Sequence, residues 1–349
     1  MLTTPRDLDD VRARLSGWLG RTVGSGATVG ALRKPSAGMS NDTVLFEVTR
    51  DGHTEPLVAR LEPTDFRVFP EYDLAAQARV MRCLEPTDVP VPRVRWVEED
   101  PRILGSPFYV MDAIAGEVPS EVPNYHAFGF CFDATPAARA RIWWSGVETL
   151  VRIHALDWER LGLGFLGVPP SGTGPLDRQL AYWRRYLEWA RGERAWPILS
   201  DALAWLAAHR FVPRTVRLCW GDARLPNLMY RDGEVAGVLD WEMAFLGDPE
   251  SDLGWWLFMD WATGPGYGVP RLDGLPGREE TIARYEELSG RAVEHALWYE
   301  VFAAVRFGLI MARIALRMEE IGLPAPNPDF DLNNPNTQRL AVLLGLPPP

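Results

Sequence analysis

The chain has 349 residues, of which 47% are hydrophobic, and it carries a formal net charge of −11. This length can bury two hydrophobic cores and predicts two or three domains. The acidic balance argues against nucleic acid as a partner, because phosphate backbones are bound by basic surfaces. The cysteines, Cys83, Cys131 and Cys219, lack metal-ligand spacing and predict buried thiols in a reducing cytosol.

The N-terminal residues lack the apolar core of a signal peptide, so we expect a cytoplasmic protein. The apolar segment 301–318 contains Arg306, Arg313 and Arg317 and therefore predicts a packed amphipathic helix, not a membrane span.

The N-terminal third alternates between helix and strand patterns. Thr4 as N-cap and Pro5 at the first helical position predict an opening helix, which buries a face that includes Leu8 and Trp18. Apolar alternation predicts strands at 28–33, 43–49, 56–61, 94–98 and 108–113, and a helix at 71–84.

The remainder of the chain has long helical patterns that are rich in tryptophan. The predicted helices are 136–156, 176–191, 198–209, 251–260, 278–288 and 292–317. Because Trp is usually well buried, most of these side chains are expected in the core.

Acid and amide side chains between 220 and 252 carry the clearest chemical signal. Asp222 and Asn227 lie five residues apart, as do the Asp that accepts a hydroxyl proton and the Asn that holds a metal in kinase catalytic loops. A hairpin with the turn Asp232-Gly233 and the return strand 235–239 would bring Asp240 back beside Asn227. One carboxylate and one amide oxygen suit Mg²⁺, which also binds nucleotide phosphates and water. For either Asp alone, a cap or turn former is the favoured interpretation. The three residues together at this spacing predict phosphoryl transfer.

This segment resembles the aminoglycoside phosphotransferase and choline kinase superfamily. The spellings Trp-Gly-Asp-x-Arg, from Trp220, and Leu-Asp-Trp-Glu-Met-Ala-x-Leu-Gly-Asp-Pro, from Leu239, are most similar to the kinase domains associated with acyl-CoA dehydrogenases. The resemblance implies an α+β, bilobal protein-kinase-like fold. Residues 1–114 would form a small antiparallel-sheet lobe that binds nucleotide, and residues 115–349 a mainly helical lobe with the catalytic loop, the metal site and the acceptor pocket. The wider superfamily has a His where this chain has Trp220. This departure puts any role of that His in supporting the loop in doubt for this chain.

The resemblance also implies a nucleotide site. The strand 56–61 resembles a Val-Ala-Ile-Lys pattern with Arg60 in the Lys position. Lys is nearly absent from the chain, since Lys34 is the single Lys among 36 Lys and Arg residues. Arg60 is therefore expected to hold the phosphates. Gln77 stands where many relatives have the acidic partner of that Lys, and Glu71 and Asp73 are the alternatives. The other implied contacts are a phosphate-covering loop with Gly38, Ser40 and Asn41, and an adenine-binding hinge with Met111, Asp112 and Ile114.

The predicted activity is transfer of the γ-phosphoryl group of ATP or GTP, with Mg²⁺, to an alcohol of a small molecule. Asp222 would be the base and Arg224 would contact phosphate or substrate, whereas His154 is expected to be structural and Asp248 and Asp252 to cap the helix that follows. The acids of the helical lobe are interleaved with Arg, which favours a neutral or acyl- and lipid-like acceptor. An aminoglycoside kinase and a nucleotide-binding pseudokinase that serves as a partner module remain the alternatives, and the oligomeric state is left open.

Overall fold

A computed structural model describes residues 6–24, 26–35 and 42–349. The chain divides into two units, Met1–Ala115 and Gly116–Pro349. Its α+β class agrees with the sequence-based prediction, because one unit is centred on a five-stranded antiparallel sheet and the other is mainly helical.

The N-terminal unit begins with helix α1, Leu8–Val23. Its N-cap is Asp7, whose carboxylate accepts the backbone N–H groups of Asp9 and Asp10. The predicted cap, Thr4, and Pro5 lie outside the described residues. The helix therefore begins later than the sequence pattern suggested, because Asp7 can satisfy the first free N–H groups.

The sheet of this unit has the strand order β1-β2-β3-β5-β4, with all neighbours antiparallel. Its strands are β1 Thr28–Val29, β2 Asp42–Arg50, β3 His53–Leu61, β4 Val94–Glu98 and β5 Phe108–Asp112. The predicted strand 28–33 is too long, since β1 has two residues and Arg33 contributes only an isolated bridge to Leu45. Gly30 lies in the interruption, where a residue without a side chain gains little from a strand.

The core of the N-terminal unit lies between α1 and one face of the sheet. Val11, Leu15, Trp18 and Leu19 of α1 pack there against alternate sheet residues that include Phe46. Helix α2, Leu74–Leu84, packs against β4 and β5. It starts three residues after the predicted position 71, because the carboxylate of Asp73 accepts the N–H of Ala76 and caps it.

The C-terminal unit contains the remaining helices and two small sheets. Its helices are α3 Phe130–Asp133, α4 Pro136–Ala155, α5 Gly174–Arg191, α6 Pro197–Ala208, α7 Glu250–Thr263, α8 Arg278–Ser289, α9 Ala296–Glu320 and α10 Pro335–Leu344. Its strands are β6 Arg217–Cys219, β7 Leu228–Arg231, β8 Glu234–Val238 and β9 Phe245–Gly247, with β6 paired to β9 and β7 to β8.

Helix α9 runs through the interior of this unit and packs on α5, α6, α7 and α10. None of the helices in the described part of the chain combines the length and apolar character that a membrane crossing demands. Cys131 and Cys219 are buried as predicted, whereas Cys83 is partly exposed.

Candidate active site

The catalytic-loop segment 220–227 connects β6 to the β7–β8 hairpin. The hairpin turn contains Asp232 and Gly233, both at positive φ, as expected for an Asp-Gly turn. At the end of β8, the N–H of Leu239 donates to the carbonyl oxygen of Asn227 at 2.9 Å. The hairpin thus returns the chain to the loop, and the residue that follows Leu239 is Asp240.

Asp222 is the central acid of this segment, and its side chain is nearly buried. Trp255 donates its indole N–H to Oδ1 at 2.8 Å. Asn227 and Arg224 donate to Oδ2 at 2.7 and 3.2 Å. These three donors hold the carboxylate in one orientation.

Arg224 links Asp222 to a second acid. Its Nη1 donates to Oε1 of Glu121 at 2.5 Å, while its Nε contacts Asp222. Burial opposes the charge on Arg224, but the Asp222 and Glu121 carboxylates outweigh it and raise the pKa of the guanidinium. Arg224 is therefore a permanent cation beside the predicted base.

Asn227 and Asp240 are the two predicted metal ligands. Asn227 uses its amide nitrogen to donate to Oδ2 and to the backbone oxygen of Asp222, which turns its amide oxygen to the other side. Asp240 has a positive φ of 55°, a conformation that Asp tolerates better than most residues. In the part of the chain that the structure describes, no group of three or more His, Cys, Asp or Glu side chains could hold a metal ion. An amide and one carboxylate fit Mg²⁺ if phosphate and water complete its shell.

The backbone of the loop is held by Asp252, a fully buried residue of α7. Its Oδ2 accepts the N–H of Trp220 at 2.6 Å and its Oδ1 that of Gly221 at 2.8 Å. The expected role of Asp252 as a helix cap is wrong, because both of its oxygens bind the catalytic loop. Asp248 instead accepts the N–H of Glu250, the first residue of α7.

His154 of α4 contacts Asp252, the residue that holds the loop backbone. Its Nε2 lies 3.1 Å from Oδ2 of Asp252, and its Nδ1 lies 2.8 Å from the hydroxyl of Tyr285. Both ring nitrogens are thus engaged in a buried network, in agreement with the predicted structural role.

Trp220 and Gly221 fix the backbone just before Asp222. The buried indole of Trp220 donates to the carbonyl oxygens of Leu239 and Asp240, at 2.8 and 3.2 Å. Trp220 therefore supplies loop support at the position where a His was expected. Gly221 has φ 89°, and a Cβ there would lie 2.0 Å from the carbonyl oxygen of Met243. Only glycine fits at this point of the loop.

Trp255 was not among the residues predicted for this site. Asp252 and Trp255 are three residues apart on a helix and so share one face. This spacing became informative only once Asp252 was seen to bind the loop backbone, because the sequence favoured a helix cap for that residue. Arg306 of α9 donates Nη2 to the carbonyl oxygen of Gly221 at 2.5 Å, and no local sequence pattern predicted this contact.

The predicted phosphate-binding residues belong to the N-terminal unit. Gly38, Ser40 and Asn41 lie outside the described residues. Arg60 lies on β3, opposite Thr43 of β2, and its Nη1 donates to the Thr43 hydroxyl at 3.2 Å.

The predicted hinge residues lie at and after the end of β5. Met111 is buried in that strand, Asp112 is its last residue and pairs with Arg95, and Ile114 follows it. Their positions alone do not identify an adenine-binding site, so the role of these residues stays a prediction.

The three candidate partners of Arg60 have different surroundings. Gln77 is buried on α2, and its Oε1 has no hydrogen-bond partner among the described residues. Asp73 is used as the cap of α2, and Glu71 is exposed. A buried acceptor without a partner costs stability, so Gln77 is the candidate whose environment most needs a donor.

Comparison with known proteins gives this geometry a family. Residues 31–288 match the phosphotransferase enzyme family. Acyl-CoA dehydrogenase family member 10 of Mus musculus is 30% identical over 220 residues, which cover 62% of this chain and 19% of that protein. Acyl-CoA dehydrogenase family member 11 of Homo sapiens is 28% identical over 265 residues, which cover 71% and 31%. The chain thus spans only a minor part of the length of these relatives.

Solved structures show the same fold over almost the whole chain. A candidate aminoglycoside phosphotransferase from Ralstonia eutropha superposes with a TM-score of 0.68 and 25% identity, covering 95% of both chains. Macrolide 2′-phosphotransferase MphH from Brachybacterium faecium gives 0.56 and 20%, covering 96% and 98%. Aminoglycoside phosphotransferase APH(4)-Ia gives 0.58 and 15%, covering 95% and 98%. With its kinase-like α+β fold and the family match over residues 31–288, this chain belongs to the phosphotransferase enzyme family.

Proposed function

We propose that this protein transfers the γ-phosphoryl group of ATP to a hydroxyl of a neutral or amphiphilic small molecule. Asp222 would orient the hydroxyl and accept its proton. Asn227 and Asp240 would hold Mg²⁺, which when bound neutralises charge on the phosphates. Arg224 would contact the transferred phosphoryl group or the acceptor.

The arrangement around Asp222 carries this proposal. An ionised carboxylate has about four acceptor sites, two on each oxygen. Asn227 and Arg224 occupy Oδ2, and Trp255 occupies one site of Oδ1. Among the described residues no other donor reaches Oδ1, so we assign its second site to a substrate hydroxyl, and the three donors fix the orientation of that site. Such a carboxylate contributes more by positioning the hydroxyl than by its basicity.

The choice of ATP is supported by the neighbours. APH(4)-Ia has been captured with AMP-PNP and hygromycin B and with ADP and hygromycin B, in structures that superpose with TM-scores of 0.58 and 0.55. In the present chain Arg60 would replace the phosphate-binding Lys, and the loop with Gly38, Ser40 and Asn41 would cover the phosphates. GTP remains the alternative donor. Met111, Asp112 and Ile114 would border the base.

A cavity of about 270 Å³ in the C-terminal unit supports a neutral or amphiphilic acceptor. Its apolar lining comes from α7, α8 and the segment around the start of α9, and includes Leu253, Leu257, Phe258, Trp261, Ile282 and Val293. It shares Trp143 and Asp260 with a smaller cavity that Arg224, Leu225 and Pro226 of the catalytic loop also line. The two cavities therefore have lining residues in common, and one of these residues is apolar.

Two of the three acids that line this cavity pair with arginines, and the third, Glu250, accepts two backbone N–H groups. Asp260 accepts from Arg271 and from the Tyr125 hydroxyl, both at 2.6 Å, and Glu300 accepts from Arg339 at 2.5 Å. A polycationic drug would therefore bring ammonium groups without matching free carboxylates, and their desolvation would be costly. An apolar body with a hydroxyl suits this lining better.

The test is Asp222→Asn, with Asp232→Asn in the hairpin turn as a matched control, since Asn also tolerates that turn. ADP formation from MgATP is measured with panels of neutral, acyl-chain and aminoglycoside alcohols, and ATP binding by thermal shift with and without Mg²⁺. We expect Asp222→Asn to keep ATP binding and to lower transfer by about 10²- to 10⁴-fold, the usual contribution of a positioned base. Equal transfer by the two variants would contradict the assignment. ATP binding without transfer to any alcohol would instead favour a pseudokinase.

A further inference from the structure

We infer that Trp255 is a positioning residue that fixes the carboxylate of Asp222, and that Arg306 holds the Trp255 ring for this purpose. The inference rests on the proposed function only for what Asp222 does in the reaction. The contact itself can be tested without turnover.

Trp255 is suited to this role because it is rigid and buried. It lies on α7, only 1% of it is exposed, and its indole N–H donates to Oδ1 of Asp222 at 2.8 Å. An indole has one hydrogen-bond donor and no acceptor. Trp255 can therefore only donate to the carboxylate and cannot accept the proton of a substrate hydroxyl. The bond also occupies the Oδ1 atom that keeps an acceptor site for the hydroxyl. A small rotation of the carboxylate about its last bond would misdirect that site.

Arg306 is the unusual part of the arrangement, because a buried Arg needs partners. It is 1% exposed, and its guanidinium carbon lies 4.2 Å from the centre of the Trp255 ring and 5.5 Å from that of Trp183. Its Nη2 donates to the carbonyl oxygen of Gly221, while Nε and Nη1 have no hydrogen-bond partner among the described residues. The nearby carboxylates of Asp252 and Asp222 favour its charge, and the rings add cation–π contact.

This contact ties the ring and the loop together. Arg306 binds the loop backbone at Gly221 and the ring of Trp255, and Trp255 binds the side chain of Asp222, which is the next residue along the loop. A cation over the ring face also withdraws electron density from the indole, which strengthens its N–H as a donor. Burial lowers the pKa of Arg306 to about 10, which leaves it charged at neutral pH.

The first test observes the contact directly. In ¹⁵N-labelled wild-type protein, with indole signals assigned from triple-resonance spectra, the Trp255 signal is compared with that of Trp256. The N–H of Trp256 has no partner among the described residues. We expect Asp222→Asn, which replaces a charged acceptor by a neutral one, to shift the Trp255 proton upfield and to leave that of Trp256 unmoved. An unmoved Trp255 signal would overturn the inference, whatever the enzyme's activity.

The second test measures the consequence for the reaction. Trp255→Phe removes the N–H but keeps an aromatic ring, and Trp183→Phe is the control, since Trp183 is equally buried and also contacts Arg306. MgATP hydrolysis, with water as acceptor, is followed at neutral pH. We expect Trp255→Phe to lower kcat by roughly 10- to 100-fold, the worth of a hydrogen bond to a charged group, and to leave the KM for ATP within about twofold.

The split between kcat and KM separates positioning from a general loss of structure. A fall in kcat at constant KM for ATP is expected in Trp255→Phe, which loses the donor to the carboxylate, and not in Trp183→Phe, which keeps it. Identical kcat values for the two variants would overturn the inference. If wild-type hydrolysis proved independent of Asp222, the proposed function would fail, and the indole signal would still decide the contact.

Discussion

Replacing Asp252 by Ala is the sharpest test of how the catalytic loop is held. Asp252 is fully buried, and its carboxylate accepts from the backbone N–H groups of Trp220 and Gly221 and from His154. In Asp252→Ala, the two N–H groups and the imidazole lose their acceptor in a site without room for full solvation.

The expected cost follows from these contacts. A hydrogen bond to a charged group contributes about 1.5–3 kcal/mol, and a buried donor left unpaired costs about 1–3 kcal/mol. The losses do not add fully, because the loop can relax, so we expect the free energy of unfolding to fall by about 3–6 kcal/mol. That is a large share of the 5–15 kcal/mol typical of a whole protein. Asp252→Asn should lower the free energy of unfolding by less than Asp252→Ala. Its amide keeps one acceptor oxygen, although its NH₂ group would face one of the donors.

Urea unfolding followed by circular dichroism measures this change, with MgATP hydrolysis recorded on the folded fraction. Ser251→Ala is the matched control, because Ser251 is the neighbouring residue on α7, is also buried, and its hydroxyl has no hydrogen-bond partner among the described residues. Removing an unpaired buried hydroxyl should be nearly neutral or stabilising. A loss below about 1 kcal/mol in Asp252→Ala, or equal losses in the two variants, would refute the reasoning.

Four further outcomes are expected. Arg60→Ala should weaken ATP binding measured by calorimetry. Lys34→Ala should weaken it much less, because the ammonium group of Lys34 already pairs with Asp42. The reverse result would make the assignment of Arg60 to the phosphates wrong. Burial raises the pKa of Glu250 to about 7, so its contribution to stability is present below about pH 4.5 and is lost as the pH rises through 7. Glu250→Gln should therefore flatten the decline in unfolding free energy between pH 5 and 8, by on the order of 1–3 kcal/mol, in denaturant titrations at both pH values. Gly221→Ala should abolish soluble expression or cost at least about 3 kcal/mol, because its Cβ would collide with backbone at positive φ. Expression of the wild type should leave the inhibitory concentration of kanamycin unchanged, and a rise that depends on the predicted base would contradict the acceptor class.

Local patterns predicted much of the fold. The β7–β8 hairpin could be read from its Asp-Gly turn and apolar return strand, because both signals lie within a dozen residues of sequence. Strands β2 and β3 followed from alternation over a half-buried surface. Errors fell at element ends, where capping decides: Asp7 and Asp73 each start a helix later than the periodicity implied.

The contacts that hold the loop could not be read in the same way. Trp255 lies 33 residues beyond Asp222 and Arg306 lies 85 residues beyond Gly221. Their positions depend on how α7 and α9 pack around the loop, and no local pattern encodes that packing. Asp252 was singled out from the sequence, but its proximity to a helix start favoured a cap over its actual long-range role.

Trp220 shows what a change of residue type does to a site of this kind. Its indole N–H reaches the carbonyl oxygens of Leu239 and Asp240, and its ring packs near Trp241. A His at this position would make the same kind of contact but would change charge near neutral pH. An indole N–H does not titrate in the physiological range and can only donate. The link between the catalytic loop and the residue proposed to hold Mg²⁺ is therefore insensitive to pH at this point.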